Sequence, residues 1–206
     1  MEHSMKLMLD VDGISADFLA SALSIFGYDL YDQSEVGQGI RQRLLDNQKN
    51  TEPSPDMYLF VSKKQFWKEI DRAGHEFWTN LPLLPWAKEL WAKLNEEYPE
   101  SVYFCTSPSN HPDSSYGKAK WIWKHFNTNK FVLTNHKYLL ANPNTILVDD
   151  TPKKLKKFEE HGGLVYKWPH QLVLMGHDRD PSIIAGEQIE AIRQAIVWGK
   201  NKENDE

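Results

Sequence analysis

Cysteine is almost absent from this chain of 206 residues, where Cys105 stands alone. That excludes an intrachain disulfide and a zinc site built from cysteine pairs. No apolar run approaches the roughly 20 residues of a membrane-spanning helix. The opening Met1-Glu2-His3-Ser4 lacks the basic-then-apolar pattern of a secretory leader. A cytoplasmic protein without a membrane partner is the expectation. Positive charge is scarce too: 24 Lys and Arg against 29 Asp and Glu leave a net charge of −5. That balance argues against a broad grip on long nucleic acid, but not against a small phosphorylated molecule held by a few local donors. The 8 histidines show no HxxxH or HExxH spacing and read as structural or surface groups. There is no internal repeat and no low-complexity tract.

What is present is a moderate apolar content, 40%, enough for one core or for one core with an insert. Short apolar, β-branched or aromatic runs predict strands over Lys6–Asp10, Ser101–Cys105, Lys130–Leu133, Thr145–Val148 and Gly163–Trp168. Helical patterns lie at Trp86–Glu97, Tyr116–Phe126 and Pro152–His161, the last with Pro152 at its first turn and Gly162-Gly163 beyond its end. Such alternation predicts an α/β fold with a Rossmann-like parallel sheet. The long interval from Leu19 to Leu84 exceeds a simple crossover and predicts an inserted small helical cap. That insert is broken by the polar segment Asn47–Pro55, with Pro53 and Pro55 as breakers. Ile183–Trp198 reads as an amphipathic helix and residues 201–206 as a flexible tail.

Ligands of open α/β sheets bind beyond the carboxyl ends of the strands. The first strand is followed by Asp10-Val11-Asp12-Gly13, the second by Thr106-Ser107, the third by Thr134-Asn135-His136-Lys137, and the fourth by Asp149-Asp150. If the extended chain persists, Asp10 and Asp12 share a face, and Gly13 permits a sharp turn. Neighbouring carboxylates repel unless a proton or cation lies between them. Mg²⁺, a hard ion that takes carboxylate, phosphate and water oxygens, suits such a set.

The chain here resembles the haloacid dehalogenase (HAD) superfamily of phosphotransferases, and most closely the 5′(3′)-deoxyribonucleotidase family. The resemblance lies in DVDGISADF (Asp10–Phe18), FCTSP (Phe104–Pro108), a lysine before the last acidic pair, and ILVDDTP (Ile146–Pro152). The FW…LP…A stretch (Phe77–Ala87) and KAKWIWKHF (Lys118–Phe126) carry the narrower match. It implies a HAD-like catalytic core over 1–18 and 85–200, with the cap at 19–84. It also implies a Mg²⁺-dependent phosphomonoesterase acting on nucleoside monophosphates through an aspartyl-phosphate. Asp10 would be the nucleophile and Asp12 the general acid and then base. Thr106, Ser107 and Lys137 would bind the phosphoryl oxygens. Mg²⁺ would be held by Asp10, the backbone carbonyl of Asp12, and one or both of Asp149 and Asp150. The sequence alone does not order that last pair. The resemblance favours Asp150 as ligand and Asp149 as partner of the lysine. It implies a base contact for Phe18.

Each residue has a plainer reading. Thr106 and Ser107 suit a capped strand-to-helix turn. Lysines are mostly solvated, and Lys118 and Lys120 rival Lys137 for the motif position. Phe66-Trp67 and Phe77-Trp78 suit a core, and Cys105 a buried strand position. The sugar-phosphate phosphatase, the 3′-phosphatase of nucleic-acid ends and the non-catalytic binding module are the competing functions. The resemblance leaves homodimer formation open, since no exposed stripe decides it.

Overall fold

The computed structural model describes residues 4–47, 61–176 and 179–204. The expected polar segment lies outside them beyond Asn47, as do Pro53 and Pro55. The described chain divides into two compact units, one from residues 1–15, 84–107 and 128–206, the other from 16–83 and 108–127.

The first unit holds a parallel sheet of order β3-β2-β1-β4-β5. Its strands are β1 (Lys6–Leu9), β2 (Val102–Thr106), β3 (Phe131–Leu133), β4 (Thr145–Asp149) and β5 (Leu164–Lys167). Leu9 pairs in register with Phe104 on one side and Val148 on the other. Because side chains alternate along a strand, Met8, Cys105 and Leu147 fall on one face of the sheet. Leu7, Leu9, Phe104, Ile146 and Val148 fall on the opposite face. The Met8–Cys105–Leu147 face packs on Leu155 and Phe158 of α7 (Pro152–Glu159) and on Leu140. Leu140 ends a short 3-10 turn, Lys137–Leu140. Removing Leu147 or Phe158 entirely from water contributes roughly 1.5–3 kcal/mol each.

On the opposite face, Trp91 of α5 (Ala87–Glu97) stacks on Phe104 with ring centres 4.3 Å apart. Arg193 of α9 (Pro181–Asn204) grips Glu97 of α5 with two hydrogen bonds of 2.9 and 2.8 Å. The short helix α8 (Gln171–Met175) precedes α9. Among the described residues, no helix is long and apolar enough to cross a membrane.

The second unit contains α1 (Phe18–Ile25), α2 (Glu35–Asn47), α3 (Lys63–Arg72), α4 (Gly74–Thr79) and α6 (Pro112–Phe126). Asp17 caps α1 by accepting from the Ala20 amide at 3.0 Å, and Ser62 caps α3 by accepting from Gln65 at 3.2 Å.

Two boundaries differ from expectation. Residues 108–127 were expected in the catalytic core, yet they group with 16–83. Gly117 explains this, because a Cβ there would meet the Trp78 Cβ at 2.5 Å and the His75 carbonyl at 2.7 Å. Only a glycine lets α6 approach α4 so closely. The Trp121 indole then donates to the Leu81 carbonyl at 2.7 Å. Residues 201–204, expected in a flexible tail, belong to α9, which runs to Asn204.

Candidate active site

The strand register places the acidic groups before any side-chain contact is considered. Alternation carries the Met8 face on to Asp10 and the Leu147 face on to Asp149. Both carboxylates therefore project toward the side covered by α7 and the 3-10 turn. Those two elements each bring a lysine. Lys137 Nζ lies 2.6 Å from Asp149 Oδ2 and 2.9 Å from Asp10 Oδ2. Lys154 Nζ, from the first turn of α7, lies 3.1 Å from Asp10 Oδ2 and 3.6 Å from Asp149 Oδ2. Lys137 is wholly enclosed, with 3% of its side chain exposed, whereas Lys154 keeps 33%.

Backbone donors fix the rest. Asp10 Oδ1 accepts from the Val11 amide at 2.8 Å. Asp149 Oδ1 accepts from the Thr151 amide at 2.9 Å, and the Thr151 hydroxyl reaches Asp150 Oδ1 at 3.2 Å. Strand β1 stops at Leu9, so the extended conformation expected through Asp12 does not persist. The chain turns instead, with the Ser15 amide returning to the Val11 carbonyl at 2.8 Å and the Trp86 indole clamping the Ile14 carbonyl at 2.8 Å. Gly13 makes that turn with φ +75°, and a Cβ there would come within 2.6 Å of Asp150 Oδ2. Glycine thus brings Asp150 against the Asp10–Ser15 loop.

Carboxylate oxygens of Asp10, Asp149 and Asp150 all lie within 4.8 Å of one another. Like charges this close raise carboxyl pKa values, as does burial. Burial, then the charges of Asp149 and Asp10, push Asp150 up to about 7. Burial and the Asp10 charge raise Asp149 as well, against the pull of the two lysines. For Lys137 and Lys154 burial works against the ammonium form, but the surrounding carboxylates outweigh it, and both pKa values rise. Both lysines are therefore charged. The carboxylates still crowd one another, and an oxygen-ligated divalent cation would relieve that repulsion.

The remaining expected residues are placed as follows. Thr106 ends β2 and is fully buried; Ser107 is half-buried and donates to the Thr134 carbonyl at 3.2 Å. Asp12 is half-buried in the turn. Cys105 lies beside the charged cluster, and burial holds its thiol up at about 11, which favours the less reactive protonated form. Of the three candidate lysines, Lys137 lies in the first unit against the carboxylates of Asp149 and Asp10. Lys118 lies in the second unit, buried, with its ammonium 5.0 Å from the centre of the Trp78 ring. Lys120 lies 5.8 Å from the Tyr116 ring. Phe18 is also in the second unit, stacked on Trp67 and Trp78 and edge-on to Phe77.

Sequence reasoning missed Lys154. The signal was present in Asp149-Asp150-Thr151-Pro152-Lys153-Lys154. A helix begun by Pro152 tilts its side chains toward its own N-terminus, so a lysine in its first turn reaches back over the preceding strand end.

The sequence model of the family described as "5′ nucleotidase, deoxy (pyrimidine), cytosolic type C" matches residues 3–194. The human protein named "5′(3′)-deoxyribonucleotidase, cytosolic type" is 25% identical over 183 residues, 87% of this chain and 84% of that protein. A Staphylococcus epidermidis protein named as a candidate 5′(3′)-deoxyribonucleotidase is 33% identical over 87 residues, 40% of this chain and 46% of that protein. This match spans about half the length of the relative. Among solved structures, a haloacid dehalogenase-like hydrolase from Streptococcus pneumoniae superposes with a TM-score of 0.52 at 17% identity, over 91% of this chain and 99% of that one. Another, from Xanthomonas campestris, gives 0.52 at 12% identity, over 98% of this chain and 96% of that one. These likenesses show a HAD-like fold.

Proposed function

The chain belongs to the cytosolic type C 5′ nucleotidase family, and we propose that it hydrolyses (deoxy)nucleoside monophosphates to nucleoside and inorganic phosphate. One observation carries the reading: three carboxylates from two adjacent strand ends converge within 4.8 Å, and a buried lysine bridges two of them.

In the proposed reaction Asp10 attacks phosphorus, and the bond from phosphorus to the ester oxygen breaks. Asp12 gives its proton to that leaving oxygen, which departs as the nucleoside hydroxyl. Water then attacks the aspartyl-phosphate, Asp12 takes the water proton, and the bond between phosphorus and the Asp10 oxygen breaks to release phosphate. Two lower barriers replace one high one. Lys137, with Thr106 and Ser107, offsets charge on the phosphoryl oxygens as it spreads in each transition state.

The all-oxygen donor set fits Mg²⁺. Asp10, the Asp12 carbonyl and Asp150 would hold the ion. When bound it supplies charge neutralisation at the phosphoryl group. Asp149 is proposed to position Lys137, because Lys137 and the Thr151 amide engage its two oxygens. The base contact of Phe18 is a proposal that rests on the family resemblance.

The test is phosphate release, with and without Mg²⁺, from a panel of deoxyribonucleotides, ribonucleotides, 3′-monophosphates and sugar phosphates. Preference for nucleoside monophosphates supports the proposal. Turnover of sugar phosphates alone would overturn the substrate class, and no turnover of any of them would overturn the phosphatase reading.

A further inference from the structure

Two ammonium groups converge on the same pair of carboxylate oxygens, and they are not equivalent. Lys137 makes the shorter contacts, 2.6 and 2.9 Å, and is 3% exposed. Lys154 makes the longer ones, 3.1 and 3.6 Å, with a third of its side chain in solvent. Lys137 alone already gives Asp149 Oδ2 and Asp10 Oδ2 a charged donor. The second cation is redundant for holding the carboxylates in place. It is also badly situated as a helix residue, because a positive charge in a first turn opposes the helix dipole.

Its position makes sense around the reaction. Asp10 Oδ1 accepts from the Val11 amide, so Oδ2 is the oxygen turned toward the two lysines. A carboxylate oxygen cannot approach phosphorus while two ammonium groups sit within 3.1 Å of it. One must give way. Lys137 is walled in, whereas Lys154 hangs on a flexible stem open to solvent. Oxygens of a phosphoryl group arriving at Asp10 Oδ2 would be the nearest new anionic acceptors for the displaced ammonium.

We propose that Lys154 is a second phosphate-binding lysine. It rests on Asp10 Oδ2 in the substrate-free protein and transfers to a non-bridging oxygen of the phosphomonoester when one binds. This builds on the phosphatase reading above. Lys137 thereby keeps the carboxylates ordered throughout, and Lys154 supplies the contact that is made only with phosphate present. Such a charge-assisted contact corresponds to a 10- to 100-fold change in affinity.

The experiment is calorimetric titration of inorganic phosphate into the Mg²⁺-loaded protein, for wild type and Lys154→Met, with Mg²⁺ titration alone in parallel. Lys154→Gln replaces the methionine variant if that fails to fold. The expected result is phosphate binding weakened about 10- to 100-fold, with a matching rise in KM and in the inhibition constant of phosphate. Phosphate affinity within twofold of wild type would overturn the proposal. If only Mg²⁺ affinity or unfolding temperature changed, Lys154 would be a counter-ion of the carboxylates and nothing more. Failure of the wild type itself to bind phosphate or to hydrolyse any monoester would sink the phosphatase reading, and this proposal with it.

Discussion

Raising the pH should weaken the metal-free protein across the neutral range, and Asp150 supplies a contribution that can be worked out, in the same direction as that of the raised Asp149. Burial and the charges of Asp149 and Asp10 hold Asp150 at about 7 in the folded chain, against an ordinary value of 3.8. A raised carboxyl pKa means that the fold favours the protonated form. Below pH 3.8 both states carry the proton and no stability is lost. Above it the unfolded chain releases the proton while the folded one retains it, until the folded group too ionises near 7. The linkage relation gives about 1.4 kcal/mol per pH unit within that window. From pH 5.5 to 7.5 the loss is therefore about 2 kcal/mol, or about 4–8 °C in Tm for a chain of this size. The lysine pKa values are raised above 10.5, so both ammonium groups stay charged throughout and add no slope. The assay is thermal unfolding in EDTA across that range for wild type and Asp150→Asn. The difference in Tm between the two proteins should grow with pH. Millimolar Mg²⁺ should stabilise wild type more at pH 7.5, where the proton competes less for Asp150 than at pH 5.5. Parallel pH profiles for the two proteins, or equal Mg²⁺ stabilisation at both pH values, would refute the reasoning.

Other perturbations separate the roles further. Asp10→Asn should lower phosphate release by about a thousandfold or more while the protein stays folded; turnover near wild type would remove Asp10 as nucleophile. Lys137→Met should cost more in kcat than Lys118→Met when rates are compared per folded molecule, and the reverse order would move the motif lysine to α6. It should also cost about 1–3 kcal/mol in urea unfolding without Mg²⁺, because Asp10 and Asp149 lose their nearer cation while Lys154 stays against both. Gly13→Ala should destabilise by about 1–3 kcal/mol, since φ there is +75° and the new methyl would lie 2.6 Å from Asp150 Oδ2. Weaker Mg²⁺ binding in that variant, read by calorimetry, checks that the contact matters to the site.

The parallel sheet was legible because its strands are short apolar runs bounded by polar clusters. Each expected strand lies within a residue or so of its observed limits at either end. The strand-end argument also worked for the acidic groups, since register alone brings Asp10 and Asp149 to one edge. What was not legible depended on partners distant in sequence. The helical pattern at Tyr116–Phe126 says nothing about what α6 packs on. The deciding feature is Gly117, whose missing side chain admits Trp78. The same pattern started the helix four residues late, because His111-Pro112 is a start signal outside the apolar period, with the His111 ring accepting from the Asp113 amide at 3.4 Å. Lys154 was hidden for a related reason. In sequence it is one of several lysines on a helix with an exposed basic face, and only the tilt of the first turn singles it out. The reverse held for the extended Asp10–Asp12 pair, where alternation was carried past the end of the strand.

The adjacent carboxylates Asp149 and Asp150 show why a sequence pair need not be a functional duplicate. Asp149 is the last residue of β4 and obeys the pleat, so it points to the face from which Lys137 and Lys154 arrive. One of its oxygens takes the Thr151 amide and the other the Lys137 ammonium. Both oxygens of Asp149 are therefore engaged by neighbouring donors. Asp150 lies past the strand end, where the pleat no longer sets direction, and it turns toward Gly13 with a hydroxyl as its neighbour. A hydroxyl compensates a carboxylate far less than an ammonium does. Burial and the charges of Asp149 and Asp10 raise Asp150 to about 7, and burial and the Asp10 charge raise Asp149 as well, so both groups gain from a cation. One backbone step, from inside the sheet to outside it, gives the two carboxylates different partners, two ammonium groups and an amide for Asp149 and a hydroxyl for Asp150.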